Sequence, residues 1–308
     1  MGIYLHIGLK KTGSSFIQSF LARNALLLSE LGHPYPDCGE SDISKLDHIS
    51  SGNGGLVMNL DQPIVENAIY SSELLYFQIP KLSDPRKFLQ QINPTSILVF
   101  TRDLHEHSWS SYGQDIKRGR ETLDYLDYIR LRYGRHLDRL LWWFEICADL
   151  NIDLKVWNYS RRKVSLINDF LTGFLMIQDL DTLSRFVISP AKVNRSLSSG
   201  ELQIQKIFNS YPKSPGHEFL SDRWVNLLPD IEPAKAPLTL EIKSTLESIF
   251  GSKVEKVNKF ISEEDRILMW DPGLQTLDHP ISVDSFCFTV SELEVIIAGI
   301  QSYLHERH

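Results

Sequence analysis

The sequence predicts an α/β fold in which a central parallel sheet is flanked by helices. Four short runs rich in β-branched and aromatic residues indicate strands, at 3–7, at the start of 68–75, at 96–100 and at 154–157. Apolar residues at helical spacing lie between them, most clearly over 16–31 and 123–150. Strands that alternate with helices form a parallel sheet covered on both faces, which gives a three-layer architecture.

The remaining segments complete the predicted organisation. Gly32 follows the first helical stripe and is a predicted C-cap. Residues 34–59 are predicted to form a long loop, and 212–237 an irregular excursion rich in proline. We expect one domain over 1–308, with an α/β core in 1–210 and a mostly helical C-terminal extension in 211–308.

Composition limits the possible partners. The chain has 308 residues and a net charge of −7, which argues against a general nucleic-acid binder. Its cysteines, Cys38, Cys147 and Cys287, are far apart and show no metal-binding or disulfide spacing, so we expect a reducing, cytoplasmic setting. We expect no secretory signal and no transmembrane segment, since no apolar run approaches about 18 residues. The oligomeric state stays open.

The segment that joins the first strand to the first helix has the layout of a phosphate-binding loop. It runs from Gly8 to Gly13, at the spacing of a Walker A motif. A glycine-bounded turn at a helix N-terminus directs backbone N–H groups and the positive end of the helix dipole at one anion. Ser14 stands where an NTPase has its phosphate-binding lysine, so the loop does not match a triphosphate site. Lys10 and Lys11 lie inside the loop instead.

The run Lys11-Thr-Gly-Ser-Ser15 resembles the 5′-phosphosulfate loop of sulfotransferases that use 3′-phosphoadenosine 5′-phosphosulfate (PAPS). The alternative is an ordinary turn in which Ser14 and Ser15 cap a helix, as serines do in many proteins.

A second motif follows the third strand. Arg102 comes two residues after the run 96–100, and Ser110 comes eight residues after the arginine. The pair resembles the arginine and serine that hold the 3′-phosphate of PAPS in the same superfamily. A guanidinium binds phosphate oxygens in a fork, and a hydroxyl donates one more hydrogen bond. Leu104 departs from the family pattern, which often has proline there. The alternative is an arginine in a surface loop.

The two motifs together resemble the P-loop sulfotransferase superfamily, in its bacterial type. This resemblance implies a P-loop-like fold and metal-independent, in-line transfer of the sulfuryl group of PAPS to a hydroxyl or amine. We take a carbohydrate or glycoconjugate as the first choice of acceptor, because an aromatic-rich stretch later in the chain offers stacking surfaces for a sugar. It implies that the loop holds the 5′-phosphate and that Lys11 neutralises charge on the leaving oxygen. The residues expected to bind the 5′-phosphate are Lys11, Thr12, Gly13, Ser14 and Ser15.

Three later segments are similar to the family in a looser way. The first is 153–159 with 166–171, which resembles a late strand that ends near a tyrosine. The second is 193–197, where Arg195 is a candidate for another phosphate contact. The third is 253–269, which resembles a terminal helical stretch with Asn258 at the matching place.

The catalytic base is open between two residues. In this superfamily it is a histidine or a glutamate, which brings forward His48 in the loop region, with Glu40 nearby. Glu73 is the rival because it follows the second strand, at the sheet edge where α/β active sites form. The third possibility is that neither residue is the base. Lys10 is predicted to be exposed to solvent or to contact substrate.

Three further features keep alternatives open. The basic residues of 117–139 are interleaved with acidic ones, which indicates a solvated helix face or, alternatively, contact with an anionic acceptor. Trp142, Trp143, Tyr128 and Tyr133 are either stacking surfaces for a sugar or helix core. His105 and His107 are predicted to be structural or exposed.

Two other classes of function are retained. A P-loop kinase of a nucleotide or small molecule is opposed by the missing Walker lysine. A non-catalytic nucleotide-binding protein of the same fold is opposed by the presence of Lys11, Arg102 and Ser110.

Overall fold

A four-stranded parallel sheet forms the centre of the fold. The computed structural model describes residues 2–36, 52–60, 63–188, 195–210, 217–278 and 288–305. The strands are β1 (Ile3–His6), β2 (Ile69–Ser71), β3 (Pro94–Thr101) and β4 (Asp153–Asn158). They lie in the order β2-β1-β3-β4, and each neighbouring pair is parallel. The predicted α/β class and the four predicted strands are confirmed.

Helices make up most of the remaining structure in the described ranges. In chain order they are α1 (Ser14–Arg23), α2 (Ala25–Glu30), α3 (Gly54–Met58), α4 (Leu75–Gln78), α5 (Pro85–Ile92), α6 (Leu104–Arg118), α7 (Tyr125–Leu131), α8 (His136–Leu150), α9 (Tyr159–Arg162), α10 (Leu166–Asp169), α11 (Leu180–Ser184), α12 (Ser199–Ser210), α13 (His217–Leu227), α14 (Leu240–Asn258) and α15 (Val290–His305). A π-helical turn covers Phe170–Phe174, and short 3-10 turns cover Ile79–Lys81 and Glu263–Asp265.

The chain forms two compact units. The first comprises Met1–Asp103, Arg135–Val193 and Ser252–Leu268, and the second comprises Leu104–Gly134, Asn194–Gly251 and Met269–His308. Each unit combines segments that are distant in sequence. The sheet and the loop after β1 belong to the first unit.

The core of the first unit packs α1 and the segment after β4 against one face of the sheet. Ile17 and Leu21 of α1 are fully buried there with Phe100 of β3 and Phe170 of the π-helical turn. Full burial of one such side chain stabilises the fold by about 1.5–3 kcal/mol. This packing holds the N-terminus of α1 beside the carboxyl ends of the strands.

Two predicted helices are each divided in the structure. The stripe over 16–31 is divided at Asn24, whose side-chain amide donates to Phe20 O at 2.8 Å and to Val187 O at 2.9 Å. Gly32, with a φ of 82°, ends the second piece as predicted. The stripe over 123–150 is divided into α7 and α8 around Gly134, which has a φ of 130°.

Three other predictions need correction. The predicted loop over 34–59 contains α3, and the predicted excursion over 212–237 contains α13. The segment 253–269 is α-helical only as far as Asn258, whose side chain then bonds both the N–H and the carbonyl of Ile267, each at 2.9 Å. That pairing closes a loop, which explains why the helix stops.

Several aromatic and basic residues of 117–143 are structural. Trp143 is fully buried, and the Tyr128 hydroxyl donates to Asp115 at 2.7 Å, so both belong to packed interiors. Arg118 pairs with Asp222, and Arg130 pairs with Glu241. His105 and His107 are buried and hydrogen-bonded, as predicted for structural residues. Among the described helices, none is long and apolar enough to cross a membrane.

Candidate phosphate-binding site

The loop between β1 and α1 lies at the carboxyl ends of three neighbouring strands. β2 ends at Ser71 and β3 ends at Thr101, on either side of β1, so Glu73 and Arg102 flank the loop. Ligands of parallel α/β sheets bind at this edge. The first unit therefore brings together the loop, the candidate base and the arginine of the second motif.

The first half of the loop continues the sheet. Leu9 N donates to Phe100 O at 2.9 Å, and Phe100 N donates to Gly8 O at 2.6 Å. Gly8 has a φ of 104°, and a Cβ on it would lie 2.9 Å from Cα of Glu73. Only glycine fits this position, and the close approach places Glu73 directly beside the loop.

Two hydroxyls fold the second half of the loop. Thr12 Oγ1 donates to Leu9 O at 2.6 Å, and Ser14 Oγ donates to the same carbonyl at 3.1 Å. A hydroxyl has one hydrogen to donate. In this structure the predicted hydroxyl donors of Thr12 and Ser14 are therefore used to shape the loop, and an anion would meet the backbone N–H groups instead.

The N-terminus of α1 has no side-chain cap. Gly13 is the N-cap residue, with a φ of 81°, and its carbonyl accepts from Phe16 N at 3.0 Å. Within the described part of the chain, no protein acceptor is bonded to the N–H groups of Gly13, Ser14 or Ser15. These donors and the positive end of the helix dipole are what an anion needs.

Arg102 connects the two motifs. Its Nη1 donates to the carbonyl of Lys11 at 2.9 Å, and its guanidinium lies 5.4 Å from the centre of the Tyr159 ring. Lys11 has a left-handed backbone, with a φ of 66°. The bond from Arg102 holds this turn and places a second cation beside Lys11 at the loop.

A buried polar cluster surrounds Asp103, the residue that follows Arg102. Asp103 accepts from Asn158 Nδ2 at 2.8 Å and from Arg161 Nη1 at 3.0 Å, and its backbone N–H donates to Ser160 Oγ at 3.1 Å. Sequence analysis missed these residues. The available signal was the run Asn-Tyr-Ser-Arg at the end of the fourth strand, where polar residues begin a helix at the same sheet edge.

Glu73 is held by a fully buried glutamine. Gln18 Nε2 donates to Glu73 Oε2 at 3.1 Å, and Gln18 lies on α1 one turn after the loop. Glu73 itself is half-buried. The rival base, His48, lies outside the described residues, as does Glu40. The structure therefore gives a position for one candidate base, beside Gly8.

His6 lies beneath the loop as the last residue of β1. It is completely buried, its Nδ1 is 2.8 Å from Ser71 Oγ, and the rings of Phe100 and Phe170 pack edge-on against it. Burial lowers the pKa of the imidazole to about 3. His6 is thus neutral at physiological pH and adds no charge to the site.

Two predicted ligands lie in the second unit. Ser110 is a half-buried residue of α6, and its predicted phosphate contact stays a prediction. Arg195 forms a bidentate pair with the fully buried Glu201, both bonds being 2.7 Å long. Its remaining N–H groups donate to the carbonyls of Leu228, Ser196 and Trp224. All five guanidinium donors are used in this way, which gives Arg195 a structural role.

Comparisons with known proteins add one likeness. No protein-family model matches the chain, and no curated protein matches it significantly. Among solved structures, the chain is similar to the crystal structure of a sulfotransferase from Alicyclobacillus acidocaldarius. The alignment covers 85% of this chain and 96% of that one, with 15% sequence identity and a TM-score of 0.41. The function is therefore argued from the residues of this chain.

Proposed function

We propose that the protein is a sulfotransferase that moves the sulfuryl group of PAPS to a hydroxyl of a carbohydrate or glycoconjugate. The observation that carries the proposal is the uncapped N-terminus of α1 joined to Arg102 through the carbonyl of Lys11. Backbone donors, a lysine and an arginine then converge at a loop that has serine in the Walker lysine position. This combination suits a monophosphate ester better than a triphosphate.

The loop residues have distinct roles in this proposal. The N–H groups of Gly13, Ser14 and Ser15 hold the 5′-phosphate, while Thr12 and Ser14 keep the loop folded through Leu9 O. Lys11 stabilises the negative charge that develops on the leaving oxygen. Arg102 binds the 3′-phosphate through its guanidinium. When bound, PAPS supplies an electrophilic sulfur and a phosphate leaving group.

We assign the role of catalytic base to Glu73. In the transfer, the acceptor oxygen forms a bond to sulfur while the bond from sulfur to the bridging phosphate oxygen breaks, and the acceptor proton passes to the carboxylate. Glu73 lies against Gly8 at the start of the loop, and Gln18 fixes one of its oxygens. The other carboxylate oxygen receives the proton in this proposal.

Nucleotide binding by the full-length protein tests this proposal. Isothermal titration without magnesium would compare 3′-phosphoadenosine 5′-phosphate (PAP) with AMP, which lacks the 3′-phosphate, and then ATP with magnesium. We expect PAP to bind at least about tenfold more tightly than AMP, since one charge-assisted contact contributes about 1.5–3 kcal/mol. Tighter binding of magnesium ATP would favour the kinase alternative, and no binding of PAP would overturn the proposal.

A transfer assay separates an enzyme from a non-catalytic binder. The protein would be incubated with sulfur-35-labelled PAPS and a panel of neutral and anionic oligosaccharides. We expect label to pass to at least one oligosaccharide with release of one PAP per sulfuryl group. PAP binding with no transfer to any acceptor would favour the non-catalytic alternative.

A further inference from the structure

The ring of Phe77, next to the phosphate loop, is contacted by two cations. Lys10 Nζ lies 6.0 Å from the ring centre, and Arg139 Cζ lies 4.7 Å from it. Lys10 comes from the loop, Phe77 from α4 and Arg139 from α8, and all three belong to the first unit. Three elements distant in sequence thus concentrate positive charge at one aromatic side chain.

The charge at Arg139 is not neutralised by an ion pair. Among the residues that the structure describes, no carboxylate is paired with Arg139, and the adjacent Asp138 pairs with Lys253 at 2.6 Å. The guanidinium instead lies over the Phe77 ring. The two cationic groups lie at most about 11 Å apart, the two distances to the ring added together. Because like charges at this range repel, an anion that contacts both groups is stabilising.

This cluster is close in sequence to the candidate base. Phe77 lies four residues after Glu73, and Glu73 lies against Gly8, two residues before Lys10. A group bound between Lys10 and Arg139 would therefore be near the hydroxyl that Glu73 activates. Phe77 is half-buried, so the part of its ring that the two cations leave exposed can contact a sugar.

We propose that Lys10, Phe77 and Arg139 form an acceptor subsite for a sugar that carries a carboxylate or sulfate group beside the hydroxyl to be modified. This inference rests on the proposed sulfotransferase function. It narrows the acceptor from carbohydrates in general to anionic ones. Lys10 and Arg139 bind the anionic group, and Phe77 packs against the sugar ring.

The test is oligosaccharide binding to the PAP-saturated protein, measured by isothermal titration. The probes are a tetrasaccharide of alternating glucuronate and N-acetylglucosamine, its carboxyl-reduced neutral form, and a sulfated neutral tetrasaccharide. We expect one or both anionic probes to bind at least about tenfold more tightly than the neutral one. The two anionic probes distinguish carboxylate from sulfate recognition.

Charge-removing variants locate the binding. Lys10→Gln and Arg139→Gln are each expected to weaken anionic binding by about threefold to fivefold, and the double variant by about tenfold or more. Arg139→Lys keeps the charge and should retain most of the affinity. The matched controls are Lys235→Gln and Arg185→Gln, which each remove a surface cation elsewhere in the chain.

The two proposals fail in different ways. Failure of the wild type to bind PAP would overturn the sulfotransferase function together with this subsite. If PAP binds normally, any one of three results would overturn the subsite alone. The first is that the neutral probe binds as tightly as the anionic ones, the second is that no probe binds, and the third is that the Lys10 and Arg139 variants behave like the controls.

Discussion

Arg102 donates a hydrogen bond from Nη1 to the main-chain carbonyl of Lys11 over 2.9 Å. The two residues are 91 positions apart and come from the motifs that follow β3 and β1. Lys11 has a left-handed backbone, which costs a non-glycine residue about 1–2 kcal/mol. The bond from Arg102 offsets part of this cost. Arg102 therefore stabilises the conformation of the loop and also places a positive charge beside it.

Gly13→Ala should unfold the loop and abolish nucleotide binding. The new Cβ would lie 2.8 Å from Leu166 Cδ2 and from Tyr159 Cε2, in a backbone with a φ of 81°. We expect a loss of about 2–4 kcal/mol of stability in urea unfolding, and no measurable PAP binding.

Gly32→Ala is the matched control for that variant. Gly32 has a φ of 82°, but a Cβ on it would meet nothing within 4 Å. It should cost only about 1–2 kcal/mol and leave PAP affinity unchanged. Equal behaviour of the two variants would contradict the close packing inferred at Gly13.

Glu73→Gln should remove the base while keeping the shape of the site. Glutamine retains the contact with Gly8 and the neighbourhood of Gln18, so PAP affinity should change by less than about twofold. Without a proton acceptor, kcat for transfer of labelled sulfuryl groups should fall about 100-fold to 10,000-fold. If His48→Gln lowers kcat in this way and Glu73→Gln does not, His48 is the base.

His6 should make stability depend on pH in the mildly acidic range. Its pKa is about 3 in the folded protein and about 6.5 in the unfolded chain, so the unfolded chain binds more protons between these values. The free energy of unfolding is therefore highest above about pH 6.5 and falls as the pH is lowered. We expect His6 to lower the free energy of unfolding at pH 5 by about 2 kcal/mol relative to its value at neutral pH.

The His6→Gln variant isolates this effect in urea unfolding at pH 7.5 and pH 5. Glutamine keeps a polar partner for Ser71 but does not titrate, so the variant should lose about 2 kcal/mol less than the wild type between the two pH values. The half-buried His33, whose pKa burial also lowers, should remain as a smaller contribution. The same loss in variant and wild type would contradict a buried neutral His6.

Arg195→Met should destabilise the second unit without affecting the nucleotide. It leaves the fully buried carboxylate of Glu201 unpaired, which typically costs about 3–5 kcal/mol. Replacing both residues with methionine should recover part of the loss. A stable Arg195→Met variant that no longer binds PAP would restore Arg195 as a phosphate ligand.

The sheet and the loop could be predicted because their signals are local. Four apolar runs mark the strands, and Gly8 and Gly13 occur where the backbone has a positive φ and a Cβ has no room. Relationships across the sheet could not be predicted in this way. Nothing within the sequence near Arg102 indicates that it bonds Lys11, and nothing near Lys10 indicates Phe77 or Arg139.

Helix interruptions and the role of Arg195 depend on tertiary contacts. Asn24 breaks a helical stripe because its side chain bonds Val187, 163 residues away. The guanidinium of Arg195 has the chemistry of a phosphate ligand, but its N–H groups donate to Glu201 and to three backbone carbonyls instead. Residue type alone does not distinguish an arginine that binds a ligand from one that binds the protein.

The most direct test of the central claim is PAP affinity, measured by isothermal titration without magnesium, in the wild type, in Arg102→Ala and in Arg185→Ala. Arg185 is a surface arginine paired with Glu30, which makes it a control for loss of charge. We predict tight binding in the wild type and in Arg185→Ala, and a loss of about 30-fold or more in Arg102→Ala. No binding of PAP by the wild type, or equal binding by all three proteins, would contradict a PAPS site at the loop of Lys11.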